Sequence, residues 1–172
     1  MALDVETVSL PNGEQVELEI VRHPGGAAVV ALDALDRVCL LRHYRHAAGG
    51  WLWELPAGKL ERGEAPAETA RRELAEEAGV GADRWTGLGV VVSSPGVFTE
   101  VVHLYLARDL SPAVAARECG ELFDVTWTPL AEACRRAHEG DITDAKTVIG
   151  LLRAESRLAA STPALAAPDL RR

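Results

Sequence analysis

Hydrophobic and polar positions alternate in short runs along most of this chain, and one internal stretch changes to a helical period. VELEIV (16–21) alternates apolar and polar residues, as a strand with one buried face does. Together with residues 4–9, across the Pro11-Asn12-Gly13 turn signal, it predicts an N-terminal β-hairpin. A hairpin alone is marginal in water and must pack on something. Pro24-Gly25-Gly26 breaks the chain before AAVVAL (27–32), a continuous apolar run suited to a central strand, and RVCLLRHYR (37–45) reads as its hairpin partner. WLWELPAG (51–58), TGLGVVVSS (86–94), VVHLYLA (101–107) and LFDVTWT (122–128) are further strands. Between them the period becomes helical from about Pro66 to Ala78, with Pro at the start and Gly79 just past the end. Pro129 opens a second helix to about Glu139. Asp141 is read as the cap of a final helix that includes residues 144–155. Ser111 to Gly120 reads as a polar loop, and from Ala159 the chain reads as a flexible Ala/Pro-rich tail. Strands on both sides of a helix, followed by more helices, predict a mixed sheet covered by helices, in one domain over residues 1–158 with its hairpin at 1–23.

Composition narrows the function classes. A formal net charge of −8 and a pI near 5.1 argue against non-specific nucleic-acid binding, which needs clustered Lys and Arg. The longest apolar runs are interrupted within about ten residues, too short to span a bilayer. MALDVETVSL lacks the basic and apolar regions of a secretory signal. Cys39, Cys119 and Cys134 are scattered, with no CxxC, and read as reduced cytoplasmic thiols. His43, His46, His103 and His138 have no spacing that suggests a nucleophilic triad; His103, between Val102 and Leu104, reads as structural.

Acidic residues crowd into one place, GKLERGEAPAETARRELAEEAGV (58–80). At about 100° per residue, Glu73, Glu76 and Glu77 share one helix face, and Glu77 borders the stripe of Ala67, Ala70, Leu74 and Ala78. Three acids at this spacing repel one another, more so where the face is partly desolvated. Arg71 and Arg72 on a solvated face would balance them; a hard divalent cation would remove the repulsion altogether.

Gly58, Glu64 and the run Arg72-Glu73-Leu74-Ala75-Glu76-Glu77-Ala78-Gly79-Val80 resemble the Nudix box of the Nudix hydrolases at every defined position. The resemblance implies the Nudix fold: α+β, a mixed β-sheet sandwiched between helices (α/β/α). It also implies hydrolysis of a nucleoside diphosphate linked to another group, dependent on Mg²⁺ with Mn²⁺ as a substitute. By position, Glu73 and Glu77 would be metal ligands, Glu76 a ligand or metal-associated base, and the Ala57 carbonyl a further ligand. Arg72 would orient the loop through Glu64, and Gly58 and Gly79 would serve the backbone.

Features outside the box resemble the ADP-ribose pyrophosphatase branch: LRHYRHAAG (41–49), WELPAG (53–58), Ser94-Pro95-Gly96 followed by Glu100, and DAKTVIGL (144–151). In that reading Arg45 contacts the diphosphate or the terminal ribose, since guanidinium matches phosphate geometry; its plainer alternative is a salt bridge. Pro95, Glu100 and Trp53 join the substrate side, with Phe98 beside the turn. Trp51 and Trp53 point the same way on a strand, for base stacking or for core and interface packing. Relatives of this branch take a base from a loop outside the box, here Glu118 or Glu121, with Glu76 as the alternative. The branch also implies a homodimer packed through the N-terminal hairpin. The expected activity is hydrolysis of ADP-ribose or a related nucleoside diphosphate sugar. Other Nudix substrates (GDP-mannose, ADP-glucose, NADH, a damaged nucleotide) and a non-catalytic ADP-ribose sensor are the alternatives.

Overall fold

The computed structural model describes residues 1–115 and 120–161. The strands are β1 (Ala2–Ser9), β2 (Gln15–Arg22), β3 (Gly26–Ala31), β4 (Arg37–Arg45), β5 (Gly50–Glu54), β6 (Ala57–Lys59), β7 (Val80–Val92), β8 (Val101–Pro112) and β9 (Phe123–Pro129). The helices are α1 (Pro66–Ala78), α2 (Leu130–Glu139) and α3 (Ala145–Ser161). A mixed sheet has the order β6-β3-β8-β7, with β3 and β8 parallel; an antiparallel sheet has the order β5-β4-β9; β1 and β2 form the hairpin.

Strand β3 is buried along its whole length because both faces are covered. Ala27, Val29 and Ala31 face the cluster that contains Ala70 and Leu74 of α1. Ala28 and Val30 face the cluster containing Ile142 and the α3 residues Leu151 and Ala154. These two cores give the helix–sheet–helix layering. Leu74 is fully buried, and its replacement by Ala would cost about 2–5 kcal/mol. Gly150 is where α3 comes closest: a Cβ there would meet Leu55 Cδ1 at 2.7 Å.

Several strand expectations change. The runs at 27–32 and 37–45 are not hairpin partners. Both edges of β3 are taken, by β6 and β8, so β4 pairs with β5 and β9 instead. Among the described residues the two runs share a strand pairing at the Leu32–Val38 bridge. Between them Asp33 Oδ1 accepts the Leu35 and Arg37 amides, tightening the turn. The segment 51–58 is not one strand either. The chain leaves the β5 sheet after Glu54, crosses Leu55 and Pro56, and joins the β3 sheet at Ala57. Strand β7 begins directly after the helix and has an irregularity between Gly87 and Gly89. Its first residues precede the strand read at 86–94, and they pair with the extension of β8 to Pro112, in the stretch read as loop. Helix α3 runs on to Ser161, into the stretch read as tail. Its cap is Asp144, not Asp141: Asp144 Oδ2 accepts the Thr147 amide at 3.0 Å.

The hairpin is tied to the loop after β7. Val21 donates its amide to Val97 O at 2.8 Å, and Thr99 donates to Val21 O at 3.1 Å. The Ser94–Gly96 turn, closed by the Phe98 amide on Ser94 O, delivers this loop to the hairpin and sets Glu100 next to β8.

Candidate active site

Helix α1 has Pro66 in its first turn and Gly79 in the left-handed conformation at its end (φ 68°), which fixes its limits. Ala65 has no side chain to cap the helix, but Glu68 reaches back to accept the Ala65 amide at 2.9 Å. The loop before α1 is organised by Glu64. It accepts Arg72 Nε at 3.0 Å, Thr69 Oγ1 at 2.7 Å and the Glu61 amide at 3.0 Å. The Arg72 hydrogen bond, with the Glu61 amide and the Thr69 hydroxyl, holds the Glu64 carboxyl down at about 2 against a smaller opposing effect of burial. Arg72 also donates to Lys59 O, locking the loop to β6.

The three acids of α1 differ in environment. Glu77 is 3% exposed. Burial, with Glu73 and Glu121 adding to it, pushes its carboxyl up to about 8, although the Ala57 amide donates to Glu77 Oε2 at 2.8 Å. Burial also raises the Glu73 carboxyl, against the charge of Arg72, and Glu76 and Glu121 add to that rise. Arg72 Nη1 lies between Glu73 (2.8 Å) and Glu76 (3.0 Å). Gly58 makes room for Glu73: a Cβ at that position would fall 1.8 Å from Glu73 Oε1.

Two adjoining depressions surround this face. A cavity of about 330 Å³ is lined by Arg45, Glu100, Glu121 and Lys146, among others. A second one of about 390 Å³ is lined by Arg72 and Glu73, among others. They share Ala57, Gly58, Lys59 and Glu121, so one continuous groove runs from the side of Glu73 and Arg72 to the side of Arg45 and Lys146, where Glu100 and Asp144 also line it. The cation wall centres on Glu54, which is 2% exposed. Its carboxylate accepts Arg45 Nε (2.8 Å), Arg45 Nη2 (2.9 Å) and Lys146 Nζ (2.8 Å). Burial alone would raise the Glu54 carboxyl, but Arg45 and Lys146 together outweigh it and bring it to about 2.

The sequence-derived residues therefore separate. Ala57, Gly58, Glu73 and Glu121 line the groove, with Glu77 buried directly behind Ala57. Glu76 meets Arg72 at its edge. Arg45 lines the cavity and makes the salt bridge to Glu54. Glu100 lines the cavity, 3.3 Å from His23 Nδ1. That nitrogen already accepts the Gly25 amide, which makes the Glu100 contact a close approach only. Pro95 lies in the exposed turn, and Phe98 packs its ring on His23. Trp53 packs against the α2–α3 core with Arg136 over its ring at 4.7 Å, whereas Trp51 is exposed beside Arg42 and Tyr44. Neither tryptophan is among the cavity-lining residues. His43 is buried against Phe123; burial first, then Arg45, lowers its pKa and keeps it neutral. Glu118 lies outside the described residues.

Sequence reasoning passed over Glu54, Asp144 and Lys146. The signal was present: a carboxylate inside the apolar strand WLWEL demands a cation partner.

Among the described residues no three acidic, histidine or cysteine side chains form a preformed cation cage. The donor set still has the chemistry a hard divalent cation requires. It offers carboxylate oxygens crowded enough to raise one another's pKa, at a position where Gly58 leaves the space of a missing side chain.

The sequence pattern of the NUDIX domain matches residues 22–149. A methanol dehydrogenase activator of Bacillus methanolicus is 40% identical over 87% of this chain and 82% of its own. An ADP-ribose pyrophosphatase of Bacillus subtilis is 38% identical over the same shares. A crystal structure of an ADP compounds hydrolase superposes with a TM-score of 0.77 at 25% identity, covering 93% of this chain and 95% of that one.

Proposed function

Because the chain belongs to the Nudix family, we propose that it is a pyrophosphatase that cleaves the diphosphate bond of ADP-ribose or a related nucleoside diphosphate sugar. The observation that carries this reading is the groove lined by Glu73 of α1 and Glu121, with Glu77 buried behind Ala57, and by Arg45 with Lys146. A dianionic diphosphate suits such a groove once the acid wall is neutralised. Glu73, Glu77, the Ala57 carbonyl and Glu76 would hold Mg²⁺, or Mn²⁺ in its place, which when bound neutralises phosphoryl oxygens and acidifies water. Arg45 binds a phosphoryl oxygen through donors not used by Glu54. Glu121 accepts the proton of the attacking water, a role that Glu76 takes in the alternative assignment. The water oxygen bonds to one phosphorus as the bridging P–O bond breaks, giving a nucleoside monophosphate and a sugar phosphate.

ADP-ribose would yield AMP and ribose 5-phosphate. Incubation with ADP-ribose and Mg²⁺ and chromatography of the products tests this; no AMP at high enzyme concentration would refute the substrate. A parallel panel with GDP-mannose, ADP-glucose and NADH ranks the alternatives. We also propose a cytoplasmic homodimer that pairs through the hairpin. Leu3 and Val5 there are 65% and 60% exposed, on a two-stranded ribbon that is weak alone. A monomeric mass by light scattering at micromolar concentration would overturn that assembly.

A further inference from the structure

We propose that Lys146 is a second substrate-binding cation, held with Arg45 on the buried carboxylate of Glu54, and that the two grip the phosphate farther from the α1 acids. The inference deepens the pyrophosphatase reading and rests on it.

Glu54 is a charge inside the protein, and an unpaired buried carboxylate is costly. Arg45 alone meets that need, because its fork takes both carboxylate oxygens. Lys146 is a further cation on the same acid, reaching Glu54 from the opposite end of the chain. It also donates to Asp144 Oδ1 at 2.9 Å, while Asp144 Oδ2 caps α3 through the Thr147 amide and hydroxyl. Two acids and two bases sum to no net charge, but they are not mixed evenly. Glu54 is 2% exposed and Asp144 16%; Lys146 is 20% exposed and Arg45 39%. Glu54 is turned into the protein, whereas both cations line the cavity, with Asp144 beside Lys146.

A neutral but polarised quartet avoids an uncompensated cation in the empty cavity, yet presents donors to an anion. An ammonium has three donors, and among the described residues two of Lys146's are committed. A guanidinium has five, and two of Arg45's go to Glu54. The Thr147 hydroxyl also accepts the Leu55 amide at 2.8 Å. The start of α3 is therefore fastened to the segment that carries Glu54, and Lys146 is placed by the backbone, not only by its charge. Glu54 and Asp144 are positioning residues in this scheme; Lys146 and Arg45 touch substrate.

The test compares Lys146→Met, Lys146→Arg and Glu54→Gln with the unaltered protein. Met keeps the apolar stem and removes the charge. The expected result for Lys146→Met is a KM for ADP-ribose raised roughly ten- to a hundredfold, the size of a lost charged hydrogen bond, with kcat changed much less. Lys146→Arg should recover part of that KM. Glu54→Gln should raise KM as well, and the double variant Glu54→Gln/Lys146→Met should fall short of the product of the single effects, since one acts through the other. A Lys146→Met protein with a lower Tm but unchanged KM would make Lys146 purely structural and overturn the proposal. Should Lys146→Met not fold, an unchanged KM in Glu54→Gln overturns it equally. If the unaltered protein hydrolyses none of the substrate panel, the pyrophosphatase reading falls first. Calorimetric binding of inorganic pyrophosphate to the same proteins then decides this inference alone: weaker binding by Lys146→Met sustains it, equal binding refutes it.

Discussion

Glu77→Gln in the metal-free protein offers a sharp physical test of the acid wall. The Glu77 carboxyl is buried and raised to about 8, from an ordinary value of 4.5. A carboxyl whose folded pKa lies above its unfolded one contributes stability that is fully present below the unfolded value. That stability is lost as pH rises through the folded value, so the window here runs from 4.5 to about 8. Linkage at 1.36 kcal/mol per unit makes the loss about 1 kcal/mol at pH 5 and about 4 kcal/mol at pH 7.5. Gln is nearly isosteric, cannot ionise, and keeps an oxygen for the Ala57 amide. Its own cost, an amide NH₂ in a buried site, does not vary with pH. The informative quantity is therefore the change in the variant-minus-native difference between pH 5 and pH 7.5. We expect the variant to gain about 3 kcal/mol relative to the native chain over that interval. Urea unfolding in EDTA measures it directly. In thermal melts the relative gain should be roughly 6–12 °C. Added Mg²⁺ should then raise the stability of the native chain and leave the variant behind. A difference that is the same at both pH values would mean that Glu77 is not held protonated in the fold, and the argument for a crowded acid wall would fail.

Gly58→Ala should remove most activity while leaving a folded protein, because the new Cβ occupies the place of Glu73 Oε1 and turns that carboxylate away; native kinetics in this variant would refute the packing argument. Acid should destabilise the cation wall in a separate window. Glu54, whose carboxyl lies at about 2, contributes stability present above 4.5 that is lost as pH falls towards 2, about 3 kcal/mol in all. Glu54→Gln should flatten the acid limb of the stability curve, and an unchanged limb would show that Arg45 and Lys146 do not hold the charge.

The local elements were legible wherever the chain dictates its own geometry. Helix α1, its acids and its Gly79 stop follow from spacing, and the Glu64–Arg72 pair, expected from the resemblance to the Nudix box, is present. The partition of the strands was not legible. Whether 37–45 pairs with 27–32 depends on which strands have already taken the edges of β3, and one of those is β8, far along the chain. The strand read at 86–94 starts earlier, at Val80, in a segment whose polar and glycine content does not mark a strand; pairing with β8 overrides that local signal. Lys146 was quoted in the sequence as part of a helix start, but its meaning depends on Glu54, 92 residues away. Trp51 and Trp53 were expected to point the same way on one strand, yet Arg136 of α2 covers Trp53 and solvent meets Trp51, a difference only the tertiary fold decides.

The short crossing at Leu55 and Pro56 has a metrical consequence. Glu54 anchors one wall of the groove and Ala57 belongs to the other, and three peptide units join them. A chain of that length spans at most roughly 11 Å. Both crossing residues are buried, and both are pinned, Leu55 by the Thr147 hydroxyl and Pro56 by the Val29 amide. The distance from cations to acids is thus a covalent ruler. The gauge of the groove is written in three consecutive peptide units of the main chain.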